Sequence, residues 1–176
     1  MQVNQNAVLV TGSSSGIGRA VTELLLRRRH FVIATARKPD TIKDFAASSH
    51  CLALPLDVCS KSSIEKAFKE IRERNIDIDV LINNAGYGAY GPLEDLSDQN
   101  LKDQFETNVF GLMNVTRMVI PQMRRRRSGR IINISSLVGR VAFPYMGAYC
   151  ASKFALEALT TALRGELKPW NIRLIS

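Results

Sequence analysis

The stretch AVLVTGSSSGIGRAVTELLLRRR, residues 7–29, decides the predicted fold. It begins with a short apolar, β-branched run, continues through a loop that contains Gly12, Gly16 and Gly18, and ends in an amphipathic helical pattern. In such a unit one glycine allows a tight turn, one admits a pyrophosphate close to the backbone, and one lets the helix pack on the strand. The strand and the helix on either side of the loop predict nucleotide binding rather than a plain turn.

The rest of the chain repeats this alternation of strand and helix. Apolar runs predict further strands at residues 31–35, 51–57, 80–82, 130–134 and 171–175. Apolar residues at helical spacing predict helices after a capping box at residues 62–65, across residues 96–123 with a start near Ser97 or Asp98, and from Tyr149 onward. We therefore expect an α/β fold with a Rossmann-like, doubly wound parallel sheet of about six strands in three α/β/α layers, with residues 1–176 as a single domain.

Candidate ligand-binding residues follow the predicted strands directly. The glycine loop, Arg37, Asp57, Asn84 and Ser136 each lie just past a strand end. In open α/β sheets, ligands bind beyond the carboxyl ends of the strands. We therefore expect these residues to converge on one rim of the sheet.

Arg37 bears on the choice of dinucleotide. A preference for NAD needs an acidic residue after the second strand to bind the 2′-hydroxyl of the adenosine ribose, whereas residues 34–38 read ATARK and contain no carboxylate. An arginine suits a 2′-phosphate because its planar guanidinium can donate two hydrogen bonds to one phosphate. The sequence thus predicts NADP as cofactor, with NAD less favoured; the alternative is that Arg37 is an ordinary solvated charge.

Tyr149 and Lys153 have the i, i+4 spacing that places both side chains on one face of a helix. A tyrosine alone has a pKa of about 10. A cation about 4 Å away, at an effective dielectric constant of about 20, favours the phenolate by roughly 4 kcal/mol, or about three pKa units. The pair therefore suits general acid–base chemistry near neutral pH, and an exposed helix face that happens to carry both residues is the alternative.

Together these motifs resemble the short-chain dehydrogenase/reductase family. They occur in the family's order and extend over nearly the whole chain: residues 11–18, the NNAG run at residues 83–86, Asn108, Ser136, Tyr149 and Lys153. The resemblance implies an oxidoreductase that transfers hydride between NADP(H) and a carbonyl compound or a secondary alcohol.

The resemblance implies catalytic roles for four of these residues. Tyr149 is expected to be the general acid in ketone reduction and the base in alcohol oxidation, and Lys153 is expected to lower the pKa of Tyr149 and bind the nicotinamide ribose. One of the adjacent residues Ser135 and Ser136 is expected to be only a strand-end cap, and the family's spacing selects Ser136 as the one that donates a hydrogen bond to the substrate oxygen. Asn108 is expected to hold a water molecule that links Lys153 to solvent.

The resemblance also implies which residues line the cofactor. Asp57 is expected at the adenine, and Ser15 and Arg37 are expected at the 2′-phosphate. Asn83 is interpreted as a structural tie between strands. The full expected set is Gly12, Ser14, Ser15, Gly16, Ile17, Gly18, Arg37, Asp57, Val58, Asn84, Ala85, Gly86, Tyr149 and Lys153.

The expected substrate is an apolar small molecule. Residues 86–93, GYGAYGPL, are aromatic and apolar, and they resemble the stretch found in family members that act on steroids, retinoids or acyl-glycerone lipids. These residues and a second group would wall a pocket, unless they simply pack the loops onto one another. The second group is Val138, Val141, Phe143 and Tyr145. The resemblance further implies a homo-oligomer formed through the helices that carry Leu101 and Phe154.

The composition sets further limits. With 176 residues and 45% hydrophobic content, the chain can bury a sizeable core. The net charge is +8. The basic run at residues 27–29 is interpreted as the end of a helix, and the run at residues 124–127 as a solvated turn. No sequence motif supports nucleic-acid binding. Cys51, Cys59 and Cys150 have neither metal nor disulfide spacing, which indicates reduced thiols and a cytoplasmic location.

Other classes of protein are excluded on similar grounds. His30 and His50 precede strands and should lie at the opposite rim from Ser136, which argues against a serine hydrolase, a zinc enzyme or any other metal site. Residues 1–6 lack the charged and apolar regions of a signal peptide, and no apolar run approaches the length that spans a membrane.

The carboxyl-terminal residues qualify the expected activity. Ile175 and Ser176 fall at the end of the predicted sixth strand, whereas family members continue with a Pro-Gly turn at the nicotinamide, a helical segment that covers the substrate, and a seventh strand. We therefore expect the last strand and the substrate cover to be missing. The rival hypothesis is a nucleotide-binding but catalytically inactive truncated homologue or fragment.

Overall fold

The computed structural model describes residues 5–176, so residues 1–4, part of the segment for which we predict no signal peptide, lie outside it. The strands are β1 (Gln5–Val10), β2 (Phe31–Ala36), β3 (Cys51–Pro55), β4 (Ile76–Asn83), β5 (Gly129–Asn133) and β6 (Ile172–Ile175). The α-helices are α1 (Gly16–Arg27), α2 (Lys61–Glu73), α3 (Asp98–Phe105), α4 (Leu112–Arg126) and α5 (Gly147–Leu167). A π-helical segment, Glu106–Gly111, joins α3 to α4, and short 3-10 turns occupy Pro39–Ile42, Phe45–Ala47, Leu137–Gly139 and Lys168–Trp170.

The strands form one parallel sheet in the order β3-β2-β1-β4-β5-β6. The order reverses between β1 and β4, which is the switch point of a doubly wound sheet, and ligands bind at such a point. The predicted doubly wound parallel sheet of six strands is confirmed. Its single-domain boundaries, residues 1–176, stay a prediction.

Strand β4 begins earlier than the apolar run predicts. Its first half alternates Ile76 and Ile78, which are buried, with Asp77 and Asp79, which are partly exposed. Side chains of a strand point alternately to its two faces, so one face of this half is packed while the other carries charge. A search for continuous apolar runs misses such a segment.

Two apolar clusters cover the two faces of the sheet and confirm the three layers. One cluster packs strand residues such as Leu9 and Ile131 against Val115 of α4 and Leu167 of α5. The other packs neighbouring positions, Val10, Val32, Ala34 and Ile82, against Val21, Leu25 and Leu26 of α1. Because most of these side chains are fully buried, each stabilises the fold by about 1.5–3 kcal/mol relative to exposure.

The helix starts agree with the prediction in one case and differ in another. Helix α3 begins after Ser97, whose side chain forms a capping box with Asn100, as predicted. Helix α2 is capped by Ser60, which accepts a hydrogen bond from the Ser63 N–H at 3.3 Å, so the predicted capping box at residues 62–65 is wrong. The cap belongs to the residue with extended backbone immediately before the helix, and Ser62 already lies in the first turn.

The arginine run at residues 124–127 is not the solvated turn that its charge predicts. Helix α4 continues through Arg126, whose guanidinium lies 3.4 Å from Asp77 and 3.0 Å from Asp79 and donates to the Ile78 carbonyl oxygen at 2.7 Å. The guanidinium groups of Arg124 and Arg127 lie over the Trp170 ring, 5.4 and 5.7 Å from its centroid. These residues therefore tie α4 to β4 and to the turn before β6.

Within residues 5–176, none of the helices combines the length and the apolar character that crossing a bilayer requires.

Candidate functional site

A cleft of about 500 Å³ opens at the carboxyl ends of the strands, where the sequence places the ligand-binding rim. It contains every residue of the predicted cofactor set except Gly18. Its lining is Gly12, Ser14, Ser15, Gly16, Ile17, Ala36, Arg37, Leu56, Asp57, Val58, Cys59, Asn84, Ala85, Gly86, Tyr87, Gly88, Tyr90, Thr107, Ile134, Ser135, Tyr149 and Lys153. The cleft thus brings the glycine loop and the Tyr149–Lys153 pair together.

The glycine loop makes the turn between β1 and α1 and leaves space for a ligand. Gly12 has φ +70° and Gly16 has φ +55°, a region that L side chains rarely adopt. A Cβ built on Gly16 would meet no atom within 4 Å, so the backbone there is open to the cleft. A Cβ on Gly18 would lie 2.2 Å from the Gly12 carbonyl oxygen, which explains why Gly18 packs α1 on the loop and does not line the cleft.

The amino end of α1 offers donors to an anion in the cleft. Ser15 is the N-cap residue, yet its side chain makes no capping hydrogen bond. The first N–H groups of a helix lack partners within the helix, and together with the helix dipole they favour a negative charge. Arg37 lies beyond β2 and adds a guanidinium to the same cleft. This cradle fits the diphosphate of a dinucleotide.

Thr11 and Asn84 hold the glycine loop against the end of β4. The Thr11 hydroxyl oxygen accepts hydrogen bonds from the N–H groups of Asn84 and Ala85 at 3.0 and 3.1 Å. The side-chain amide of Asn84 donates to the carbonyl oxygens of Thr11 and Gly12, both at 3.0 Å. Asn84 therefore shapes the cleft through the loop as well as lining it.

Asn83 is a tie between elements, as predicted. Its Nδ2 donates to Thr116 Oγ1 on α4 and to Asn133 Oδ1 on β5, both at 2.9 Å. Asn133 in turn donates to Thr160 on α5 at 2.8 Å. This buried chain of hydrogen bonds fixes β4 and β5 relative to the two helices that cover them.

The end of the cleft beyond β3 contains residues that sequence reasoning missed. Asp57 Oδ1 accepts the N–H of Cys59 at 3.0 Å, and the Cys59 thiol lies 3.3 Å from Thr107 Oγ1. Burial raises the pKa of Cys59, with the neighbouring Thr107 hydroxyl acting in the opposite direction. A second recess of about 430 Å³ adjoins the cleft here and shares Arg37, Asp57 and Tyr87 with it. The position of Cys59 just after Asp57 is the signal that could have identified it.

Helix α5 brings Tyr149 and Lys153 to the cleft from one face, as their spacing predicts. Lys153 Nζ lies 5.7 Å from the centroid of the Tyr149 ring and donates a hydrogen bond to the Ile134 carbonyl oxygen at 2.8 Å. Only 7% of Lys153 is exposed, and this burial lowers the pKa of its ammonium, while nearby Glu157 acts in the opposite sense. The Tyr149 hydroxyl makes no hydrogen bond to any described residue, so it is available to a ligand.

The two serines after β5 differ in placement. Ser135 lines the cleft. Its hydroxyl lies near Glu157 and lowers the pKa of that carboxyl. The Ser135 Oγ is buried, however, and makes no hydrogen bond of ordinary geometry to a described residue. Ser136 begins the turn Leu137–Gly139, and its hydroxyl oxygen accepts the Val138 N–H at 3.4 Å. Ser136 thus caps this turn, and its expected contact with the substrate oxygen stays a prediction.

Asn108 lies in the π-helical segment behind the cleft and does not line it. Its Nδ2 donates to the Tyr87 carbonyl oxygen at 2.8 Å and to Ser152 Oγ at 3.1 Å, and its Oδ1 accepts the Tyr87 N–H at 3.1 Å. Asn108 thus connects the loop after β4 to α5. A water bound to Asn108 stays a prediction. π-Helical turns are frequent at functional sites, because the extra residue shifts the helix face.

The histidines lie where the sequence predicts. His30 directly precedes β2 and His50 directly precedes β3, so both are at the amino ends of strands, away from the cleft. In the part of the chain that the structure describes, no three His, Cys, Asp or Glu side chains are grouped to hold a metal ion. A histidine-assisted serine nucleophile at the cleft has no support.

Comparison with known proteins agrees with this geometry. The sequence model of the short chain dehydrogenase family matches residues 6–176. A curated relative, 3-ketodihydrosphingosine reductase of Bacteroides thetaiotaomicron, is 40% identical over 95% of this chain and 60% of its own length. The probable short-chain type dehydrogenase/reductase VdlC of Helicobacter pylori is 38% identical over 94% of this chain and 61% of its own length.

Solved structures of dehydrogenases have the same fold as this chain. A short-chain dehydrogenase from Streptomyces avermitilis superposes with a TM-score of 0.93 at 39% identity, covering 97% of this chain and 65% of that one. A gluconate 5-dehydrogenase from Burkholderia cenocepacia, in complex with NADP and tartrate, superposes with a TM-score of 0.87 at 26% identity over 97% of this chain and 69% of that one. The chain spans about 60% of the length of the curated relatives named above. With its fold, its cleft and a family match over residues 6–176, this chain belongs to the short-chain dehydrogenase family.

Proposed function

We propose that the protein is an NADP(H)-dependent oxidoreductase that transfers hydride between the nicotinamide and a carbonyl compound or secondary alcohol, and that residues 1–176 form one cofactor-binding domain. One observation carries the proposal: Tyr149 and Lys153 share a single cleft with the glycine loop of residues 12–18. A proton-transfer group and an anion cradle in one cleft are what such a reaction requires.

The cleft fits a dinucleotide phosphate. The open backbone at Gly16, the uncommitted Ser15 side chain and the N-terminus of α1 suit the diphosphate and its neighbours. Arg37 and Ser15 are proposed to contact the 2′-phosphate, and Asp57 and Val58 the adenine. The Burkholderia cenocepacia neighbour, in complex with NADP, agrees with NADP as a ligand of this fold, and the preference for NADP over NAD rests on Arg37 and the absence of a carboxylate at residues 34–38.

The proposed chemistry divides between cofactor and protein. The bound dinucleotide supplies hydride in reduction and accepts it in oxidation. Tyr149 donates the proton to the carbonyl oxygen, Ser136 donates a hydrogen bond to the same oxygen, and the Lys153 cation favours the tyrosinate that remains. Asn108 is proposed to hold the water that returns the proton from solvent to Lys153.

An apolar substrate is favoured by the side chains near Tyr149. Tyr90, whose ring lies against that of Tyr149, and Ile134 line the cleft here. The name of the Bacteroides thetaiotaomicron relative, a reductase of 3-ketodihydrosphingosine, agrees with an apolar ketone. We also propose a homo-oligomer through the helices that carry Leu101 and Phe154, the latter 43% exposed, and a cytoplasmic location that suits three free cysteines.

The inactive, nucleotide-binding alternative is not favoured. The relatives above are named as reductases or dehydrogenases, and the cleft contains the proton-transfer pair as well as the nucleotide cradle. The two hypotheses differ in one observable, since both allow NADPH binding and only the enzyme turns over a ketone.

The test is a fluorescence titration with NADPH and with NADH, followed by turnover of a panel of apolar ketones. Arg37→Asp should weaken NADPH binding about tenfold or more and NADH binding far less, because it removes a cation and adds a charge that repels the 2′-phosphate. Arg125→Asp, the same change at an exposed arginine outside the cleft, is the control. Equal losses for both dinucleotides would refute the NADP preference, and NADPH binding without turnover of any ketone would favour the inactive alternative.

A further inference from the structure

The ring of Tyr90 lies next to the ring of Tyr149 in the cleft. Their centroids are 6.0 Å apart and their planes meet at 66°, an edge-to-face arrangement. Tyr90 is nevertheless 60% exposed, so packing within the described residues explains little of its position. A large aromatic side chain held beside the proton-transfer group offers contact area to whatever binds there.

The backbone around Tyr90 is fixed although its ring is exposed. On one side, the Ala89 N–H donates to Gln104 Oε1 at 2.6 Å; on the other, the Gly91 N–H donates to the Tyr145 carbonyl oxygen at 2.8 Å. Gln104 is fully buried, and its Nε2 donates to the Tyr87 carbonyl oxygen at 2.7 Å. The loop therefore sets the direction of the Tyr90 ring.

Gly88 provides the space in which the Tyr90 ring lies. A Cβ on Gly88 would be 2.4 Å from the Tyr90 hydroxyl oxygen and 2.5 Å from Cζ. The phenol end of the ring thus lies directly on the bare α-carbon of Gly88. Any side chain at Gly88 would displace the ring, and because the ring is the far end of a flexible side chain it would move rather than unfold the loop.

Tyr87, the other tyrosine of this loop in the cleft, serves a different region. It also lines the second recess with Arg37 and Asp57, at the opposite end of the cleft from the Tyr149 ring. Tyr90 does not line that recess. Of these two tyrosines of the loop, Tyr90 is therefore the one whose ring lies against Tyr149.

We infer that Tyr90 is a specificity-determining residue: its ring contacts an aromatic or conjugated group attached to the carbonyl on which Tyr149 acts, so aryl ketones are preferred over saturated ketones of equal size. This inference rests on the proposed function and adds the substrate class. An aromatic contact tightens binding several-fold beyond the effect of the area that it buries. A saturated ring of the same size also buries apolar area against Tyr90, but it does not gain the additional aromatic contribution to binding.

The test compares acetophenone with cyclohexyl methyl ketone, whose six-membered ring substituents are similar in size, one planar and aromatic and the other saturated and puckered. Their dissociation constants from the NADP-loaded chain are measured by ligand-observed NMR, and KM and kcat by NADPH oxidation. Tyr90→Ala should weaken acetophenone about fivefold and cyclohexyl methyl ketone less than about twofold. Tyr90→Phe, which keeps the ring, should retain wild-type selectivity, and Gly88→Ala, which displaces it, should resemble Tyr90→Ala.

Phe110→Ala is the control, since it removes a 54% exposed aromatic side chain outside the cleft. Equal effects of Tyr90→Ala on the two ketones, or no preference for acetophenone in the wild type, would overturn the inference while NADPH binding stands. Absence of NADPH binding in the wild type would instead overturn the proposed function and this inference with it. A rise in the KM for acetophenone with unchanged kcat in Tyr90→Ala would support a binding contact between Tyr90 and the substrate. An equal fall of kcat for both ketones would show that Tyr90 has only a structural role and would reject the inference.

Discussion

The two ends of the cleft are held together in different ways. At the nucleotide end, the polar side chains of Thr11 and Asn84 hydrogen-bond to the backbone of the glycine loop. At the catalytic end, the Ser135 hydroxyl is buried without an ordinary hydrogen bond to a described residue, and Lys153 is buried with a lowered pKa. Unsatisfied buried polar groups are rare, and they concentrate where a ligand or a reaction completes them. The glycine loop at the proposed nucleotide end is thus fixed by the protein's own hydrogen bonds, although the Ser15 side chain beside it makes no capping hydrogen bond, whereas at the proposed catalytic end a buried hydroxyl and a buried cation are left for a bound molecule to complete.

The largest effect should follow from Tyr149→Phe, which removes a hydroxyl from the catalytic end and leaves the ring. We expect turnover of a ketone to fall by about 10²–10⁴-fold, because the proton donor is lost, while the dissociation constant of NADPH changes little. Steady-state kinetics and fluorescence titration measure the two quantities. Turnover close to that of the wild type would show that Tyr149 is not the proton donor.

The fold was predictable where its determinants are local. The glycine loop between β1 and α1 can be recognised because its glycines stand within residues 12–18, directly between a strand pattern and a helix pattern, although Asn84, which packs against Gly12 and Gly18, lies far away in sequence. The Tyr149–Lys153 pair was predictable for the same reason, since helix geometry alone places both on one face.

Determinants that lie far apart in sequence were not predictable. Arg126 was expected in solvent, but it pairs with Asp77 and Asp79, which a search for apolar runs left outside β4. The backbone next to Tyr90 is held by the hydrogen bond from the Ala89 N–H to Gln104, and nothing in the local sequence of either residue indicates that contact. The structure was needed to show that Ser135, and not Ser136, lines the cleft.

The serine pair gives the next largest effect and sharpens the comparison. If Ser136 donates to the substrate oxygen, Ser136→Ala should lower kcat by about 10²-fold, the usual cost of one lost donor to a developing oxyanion, with NADPH binding retained. Ser135→Ala is the matched control. A large loss from Ser135→Ala with a small one from Ser136→Ala would assign the role to Ser135, whose hydroxyl lines the cleft.

A smaller effect, at the nucleotide end, is expected from Gly18→Ala. The new Cβ would lie 2.2 Å from the Gly12 carbonyl oxygen and 2.3 Å from Asn84 Nδ2, so α1 must move away from the loop. Overpacking of this kind costs about 1–3 kcal/mol, and NADPH affinity should fall together with the free energy of unfolding. Gly165→Ala is the control, because its Cβ meets nothing within 4 Å and alanine favours the helix. Unchanged NADPH affinity in Gly18→Ala would mean that the loop is less rigid than its hydrogen bonds indicate.

The smallest effect concerns the stability of the catalytic end and is visible only as a dependence on pH. Burial lowers the pKa of Lys153 below its usual 10.5. At a pH below the pKa of the folded state, the buried charge therefore reduces the free energy of unfolding by its full amount. This penalty disappears as the pH rises to the pKa of the unfolded state. Between the two values the unfolded chain binds more protons, and stability therefore rises with pH.

Lys153→Met removes this cost, together with the hydrogen bond from Nζ to the Ile134 carbonyl oxygen. The loss of that hydrogen bond costs about 1 kcal/mol, more while the amine is charged than when it is neutral. The pH dependence of the difference in stability nevertheless follows the net lowering of the Lys153 pKa. The free energy of unfolding of the wild type, minus that of the variant, should increase as the pH approaches 10.5, in urea unfolding without cofactor. Lys168→Met, at an exposed lysine, corrects for the loss of any positive charge. Parallel curves for wild type and Lys153→Met would show that the catalytic end holds its lysine at no electrostatic cost, and the contrast between the two ends of the cleft would then rest on Ser135 alone.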